Sequence, residues 1–527
     1  MRVEPEHGKI PRTMSTQHPD NARIPHWCDS EVMDGNTEIQ EAYLAYSTLG
    51  CREVMWDAEG KDADTRVVRK LLTNYEEYFK QNVLGEDLFL TYRIPNPRVE
   101  AVERKIVVET LQNIPVAYDV ASTFYGKNLA PIFEVILPFT TEGAELVWLD
   151  RYYKKAIVAA EDLELNGSFK VKDWIGCFNP KGIRIVPLVE DFDSILAIDR
   201  IVESYADVTK PDYLRVFLAR SDPALNYGLV CAVLLSKIGL SKLGMLQKRR
   251  GLRIHPILGV GSTPFRGHLS PENLENFLHE YRGLSTVTIQ SALKYDHPVE
   301  QTKETIRVLN ERLPNEEHAP IEPHEENQLV VLMKKFRHRY ENVVEELSPL
   351  VNSIAQLVPQ RRTRKLHIGL FGYSRSLRGV TLPRAITFAA AFYSLGIPPE
   401  FIGGKAFDNI DTEWDILQKH YLNMKSDISR AGAYLSWQNV NMLQEAHAKL
   451  AERAGMSAES LRGAIARLLE DIEAIEENVG IKVGPRSLTE RKHEDLTNIF
   501  LISYMEREDS EARTALVEAA KLRRCLG

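Results

Sequence analysis

Two carboxylates in this chain stand where a hard metal ion would want them. Glu190 closes the apolar run Val186-Pro187-Leu188-Val189, and Asp222 lies in Arg220-Ser221-Asp222-Pro223-Ala224-Leu225-Asn226-Tyr227-Gly228. Mg²⁺ and Mn²⁺ take oxygen ligands and commonly bind one or two carboxylates plus substrate oxygens. The same acids also suit helix starts: Asp191 or Asp193 as a cap after Glu190, and Asp222 as a cap ahead of a proline. A glycine-rich loop, Gly259-Val260-Gly261-Ser262-Thr263-Pro264-Phe265-Arg266-Gly267, offers backbone N–H groups and one guanidinium to an anion. It has neither the Lys-Ser/Thr end of a Walker loop nor the third glycine of a dinucleotide fingerprint. Arg375, Arg378 and Arg384 crowd the segment Gly372 to Arg384, and guanidiniums grip phosphate and carboxylate in bidentate fashion. The alternative there is a solvated loop. Near the amino terminus, Gln17-His18-Pro19-Asp20 holds one imidazole, a general base with an ordinary pKa of about 6.5. Read alone, that segment is equally an N-terminal loop.

Composition narrows the classes. Lys and Arg number 66 against 74 Asp and Glu, a net charge of -8, and there is no long basic block to track a nucleic-acid backbone. Nucleic acid is not expected as a partner. The first 12 residues lack the apolar stretch of a secretory signal, and no run of about 18 uninterrupted apolar residues suggests a membrane span. Cys28, Cys51, Cys177, Cys231 and Cys525 are scattered with no CxxC pair, which fits a reducing cytoplasm and argues against zinc or a disulfide framework.

These groups need elements to hold them. Short apolar or β-branched runs recur at 51–56, 88–92, 131–137, 183–189, 213–219, 254–258, 285–290 and 366–371, mostly free of charge, as strands buried on both faces should be. Intervening segments such as 65–84 and 97–111 have helical spacing, and 312–327, rich in Pro, Glu and His, reads as an exposed connection. Eight strands alternating with helices predict an α/β fold, a (β/α)8 TIM-type barrel with additional helices. Strands at about 51–373 and a largely helical C-terminal elaboration at about 384–527 form one catalytic domain over 1–527. A barrel keeps its chemistry at the carboxy-terminal ends of its strands. The residues there are Asp57, Arg93, Thr140, Glu190, Arg220 with Asp222, the glycine loop, Gln290 with Lys294, and Ser374 with Arg375.

Taken in order, these segments resemble the compact archaeal-type branch of the phosphoenolpyruvate carboxylase family, from Thr13 to the carboxy terminus. The resemblance implies that bicarbonate is joined to phosphoenolpyruvate irreversibly, giving oxaloacetate and inorganic phosphate, through carboxyphosphate and an enolate of pyruvate held at Mg²⁺ or Mn²⁺. It makes His18 the catalytic base, Glu190 and Asp222 the metal ligands, and Arg266 the arginine associated with bicarbonate. Arg375, Arg378 and Arg384 match arginines tied to substrate phosphate and carboxylate, with Arg375 among the catalytic groups. Arg93, Gly259, Gly261 and Gln290 join the substrate-binding set. Asn423-Met424-Lys425-Ser426-Asp427 is similar to an effector-binding segment, which marks Lys425 as a candidate effector contact. A homotetramer follows from the family. Leu225, Leu258 and Val260 stand where the longer enzymes carry Lys, His and Arg, with Arg220, Arg253 and Lys294 as candidate replacements. The loops 259–267 and 372–379 are expected to close as lids, because water reaching the enolate would divert it to pyruvate. A barrel aldolase acting on pyruvate enolate shares the acids and arginines, and a helical scaffold binding acidic partners shares the arginine loops.

Overall fold

Period-two alternation along eight parallel strands sets the architecture. The computed structural model describes residues 10–372, 376–377 and 379–527. The strands are β1 (Thr13–Ser15), β2 (Glu53–Asp57), β3 (Phe89–Arg93), β4 (Glu134–Leu137), β5 (Arg184–Val189), β6 (Tyr213–Ala219), β7 (Arg253–Gly259) and β8 (Thr286–Ile289). They close into a barrel in chain order, with β1 zipped between β8 and β2 through the registers Thr13↔Val287 and Met14↔Glu53. Successive side chains point to opposite faces of a strand. In β2, Val54 and Trp56 therefore pack outward into the large core shared with the helices, while Glu53, Met55 and Asp57 point inward.

The interior falls into layers. Met14, Met55, Ile136, Val186, Leu188, Phe217, Ala219 and Ile257 form an apolar plug in the middle. Beneath it, Arg215 is fully buried and donates to Glu53 (2.7 and 2.8 Å), Glu134 (2.8 Å) and Thr286 (3.3 Å). Above it lie Asp57, Arg93, Glu190 and Gln290 at or just after the strand ends. The plug separates two polar layers, and the upper one borders a cavity rich in catalytic residue types.

One strand expectation is corrected. Residues 366–371 form consecutive turns rather than a strand, with Leu366 wholly exposed and Gly369 at φ 49°. An apolar run with its first leucine in solvent and a left-handed glycine inside it has no sheet to join. The barrel closes instead on Thr13–Ser15, so its strands span 13–289 rather than 51–373. The N-terminal segment is thus a strand leading directly to His18. Elsewhere, 65–84 contains helices Val67–Asn74 and Glu76–Gln81, whereas the helix expected from 97 begins only at Ile106 and runs to Tyr125. The exposed connection is shorter than 312–327, because the 33-residue helix Pro323–Ala355 starts inside it. Helix Leu229–Arg250 is long and apolar enough to cross a membrane, yet 83% of its apolar window is buried inside the fold.

From Ala385 to Arg523 the chain is a succession of helices. They pack against the glycine loop: Phe265 stacks on Phe388 at 5.9 Å, and the Phe265 N–H donates to Glu400 at 2.8 Å. The C-terminal layer therefore braces the active rim from outside.

Candidate active site

His18 reaches the rim because β1 ends three residues before it and its segment is stapled down. Its Nδ1 pairs with Thr16 Oγ1 at 2.9 Å, and the Gln17 side chain accepts from the Asp57 N–H at 3.1 Å. Beyond it, Asp20 is fully buried, accepts from the Ala292 N–H at 2.6 Å and receives Arg266 at 3.0 Å. Asp296 holds the next turn by accepting from the Ala22 and Arg23 N–H groups at 2.6 and 2.8 Å. Burial holds the His18 pKa well below its ordinary 6.5, and Arg93, Arg266 and Arg364 push the same way against the opposing pull of Asp57. The imidazole is therefore neutral near neutral pH, the state in which it can accept a proton.

Arg93, at the end of β3, faces the same cavity and binds Asp57 through two parallel bonds of 2.8 and 2.6 Å, with Glu59 at 3.1 Å. Burial alone would lower its pKa, but Asp57 and Glu59 outweigh that and fix the charge.

Glu190 and Asp222 line this cavity too. Asp191 caps helix Phe192–Leu196 by accepting from the Ser194 N–H at 2.9 Å, so Glu190 is free of that duty. Asp222 sits within the first turn of helix Ser221–Tyr227, whose cap position is Arg220. Glu190 accepts from the Phe139 N–H at 2.8 Å. Burial pushes its carboxyl well above the usual range, and the neighbouring charge of Asp222 pushes it further. The charge of Asp222 beside the Glu190 carboxyl is the kind of crowding that a cation relieves. Among the described residues no cluster of three or more His, Cys, Asp or Glu has metal-binding geometry. Two carboxylates on one cavity could hold a hard divalent ion whose remaining ligands are substrate oxygens and water.

The glycine loop departs from expectation. The Gly261 N–H donates to Arg266 O at 2.8 Å and the Val260 N–H to Thr288 Oγ1 at 2.8 Å, so neither is offered to an anion. Both glycines are required by close approach instead. A Cβ on Gly259 would meet Phe217 at 2.8 Å, and one on Gly261 would lie 2.7 Å from the Arg266 guanidinium carbon. Arg266 is buried at 1% exposure and donates to Asp20 (3.0 Å), Gly527 O (2.6 Å), Ser221 (3.2 Å) and Gln290. The loop is fastened by its own hydrogen bonds and carries one guanidinium, whose Nη2 donates to Gln290.

Arg384 lines the cavity at the start of helix Ala385–Ser394. Arg375 and Arg378 lie outside the described residues, as do Tyr373 and Ser374 of the second expected lid. Lys425 is exposed on helix Met424–Gly432, away from the cavity; that helix meets the loop through Asp427, which pairs with His268 at 2.6 Å. Of the candidate replacement cations, Arg220 borders the cavity but braces the loop, donating to Phe265 O at 2.9 Å, Pro264 O at 3.3 Å and Tyr281 at 3.2 Å. Arg253 opens β7 at the opposite end of the barrel and is exposed. Lys294 is buried against Glu41 (2.9 Å), Ser15 and Thr16. Asp20, Glu59 and Arg364 escaped the sequence reading. Asp20 adjoins the candidate base, and Arg364 belongs to the basic run Arg361-Arg362-Thr363-Arg364-Lys365, the one local signal that either carried.

A parallel barrel with an imidazole, two crowded carboxylates and several guanidiniums on its carboxy-terminal rim defines a metal-assisted enzyme of anionic substrates. The phosphoenolpyruvate carboxylase family model matches residues 10–527. Phosphoenolpyruvate carboxylases from Caldivirga maquilingensis, Metallosphaera sedula and Picrophilus torridus are 48%, 45% and 44% identical over 519, 521 and 520 residues, each alignment covering 98% of this chain and 99% of the relative. The chain belongs to the phosphoenolpyruvate carboxylase family. Its reaction is the carboxylation of phosphoenolpyruvate by bicarbonate, and the family requires a divalent metal ion.

Proposed function

We propose that this reaction runs in the cavity between His18, Arg266 and the Glu190–Asp222 pair. The observation that carries the proposal is that one cavity is lined by a neutral imidazole, a crowded acid pair and buried guanidiniums delivered by different strands. Glu190 and Asp222 would hold Mg²⁺ or Mn²⁺, which supplies fixed positive charge where negative charge develops. Arg384 and Arg93 bind and orient phosphoenolpyruvate; Arg375 and Arg378 join them on the family pattern. Arg266, held at fixed height by Asp20 and Gln290, positions bicarbonate for attack on phosphorus. His18 then takes the proton of carboxyphosphate, and loss of CO₂ from that anion leaves the electrophile beside the enolate carbon.

Oxaloacetate formation, followed by coupling to malate dehydrogenase with phosphoenolpyruvate, bicarbonate and metal each omitted in turn, tests the activity. His18→Asn tests the assignment: it should keep bicarbonate-dependent phosphate release while oxaloacetate falls by about a hundredfold or more. Undiminished oxaloacetate from that variant removes His18 from the mechanism. Family membership supports a homotetramer working in the cytoplasm, which sedimentation and fractionation measure. The exposure of Lys425 leaves it accessible to an effector, and Lys425→Ala should blunt inhibition by aspartate or malate without changing uninhibited turnover.

A further inference from the structure

We infer that Arg364 is a substrate-binding residue that grips the phosphate of phosphoenolpyruvate beside Arg384. The inference rests on reading the cavity as the substrate site, as above. Other arginines of this rim are engaged by the protein: Arg93 by Asp57, Arg220 by backbone carbonyls, and Arg266 by Asp20, Gln290 and Gly527. Arg364 lines the same cavity, yet among the described residues its guanidinium makes no hydrogen bond and no ion pair. Its nearest charges are mixed, Arg384 and Arg93 on one side and Asp57 and Glu59 on the other, with burial and Arg384 both disfavouring its positive form. A half-buried guanidinium next to another one, with no carboxylate in contact among the described residues, is a ready partner for an anion.

The loop that carries it is tied down. Arg361 donates to Asn21 O and Ala22 O at 3.1 and 2.7 Å and pairs with Glu31 at 2.9 Å. Arg362 pairs with Glu38 at 3.0 Å and with both oxygens of Glu41 at 2.7 and 2.6 Å. Both are about 2% exposed, so two spent arginines pin the turn that aims the unspent one. Their anchors are the carbonyls just past His18 and the helix Gly35–Ser47, so Arg364 and His18 are held by one framework. Two adjacent guanidiniums match a dianionic phosphate; a singly charged bicarbonate is matched by Arg266 alone.

The test is steady-state kinetics of the full enzyme carrying Arg364→Gln or Arg364→Lys, with inorganic phosphate as a competing probe. The KM for phosphoenolpyruvate should rise about tenfold or more in Arg364→Gln and less in Arg364→Lys, and the inhibition constant of phosphate should rise with it. The KM for bicarbonate should stay within about twofold. Thermal melting should be unchanged or higher, since no protein partner is lost; a structural arginine would give a clear fall. An unchanged KM for phosphoenolpyruvate, or lower stability with unchanged phosphate inhibition, overturns the inference. If wild-type protein makes no oxaloacetate, the reading of the cavity itself has failed, which is a different result.

Discussion

The two polar layers of the barrel use the same residue types to opposite ends. Below the apolar plug, the terminal nitrogens of Arg215 end on Glu53, Glu134 and Thr286, while Tyr213 donates to the other oxygen of Glu134 and Thr91 to a Glu53 oxygen that Arg215 also holds. Above it, Glu190 and Asp222 repel each other and Arg364 has no protein partner among the described residues. Closed electrostatics make a structural floor; open electrostatics make a site that awaits a cation and anions. Position decides which layer is which, because backbone N–H groups and loops gather only where strands end.

Three experiments sharpen or break this contrast. Arg215→Ala leaves two buried glutamates facing each other and should cost about 3–5 kcal/mol in unfolding free energy. Turnover per folded molecule should remain; a lost kcat with intact stability would place catalysis in the lower layer. Glu190→Gln and Asp222→Asn should weaken Mn²⁺ binding by about tenfold or more, read by titration of the paramagnetic ion, with metal-free melting barely altered. Unchanged Mn²⁺ affinity would mean that the acid pair is not the metal site.

The smallest effect concerns His18. Burial and neighbouring cations depress its pKa, so it is neutral at every pH above 6.5 and for some distance below, protonating only well into acid. Arg93→Gln removes a cation that opposes protonation and should move the His18 titration upward, read by NMR of the imidazole. A downward shift would show that released Asp57 is not the imidazole's neighbour.

Much of this was legible in sequence because strand ends leave a mark. Apolar runs closed by Asp57, Arg93, Glu190 and Gln290 announce both a buried strand and the polar group at its tip. β1 left no such mark: three residues are too short for a pattern, and 366–371 mimicked a strand in composition while its glycine turned left-handed. The hydrogen bonds that tie up the Gly261 and Val260 N–H groups cannot be seen in the letters of the glycine loop. Asp20 and Arg364 were missed for a related reason. Each owes its role to partners hundreds of positions away, Arg266 and Ala292 for the first, Asn21 and Ala22 for the turn that carries the second.

The shortness of β1 has a consequence for how the enzyme comes into being. Thr13 pairs with Val287, so the segment that carries His18 is seated only once a strand far along the chain has been made. Pairings so distant in sequence form late and slowly. The nascent chain thus carries its imidazole long before the last barrel strand arrives to seat it.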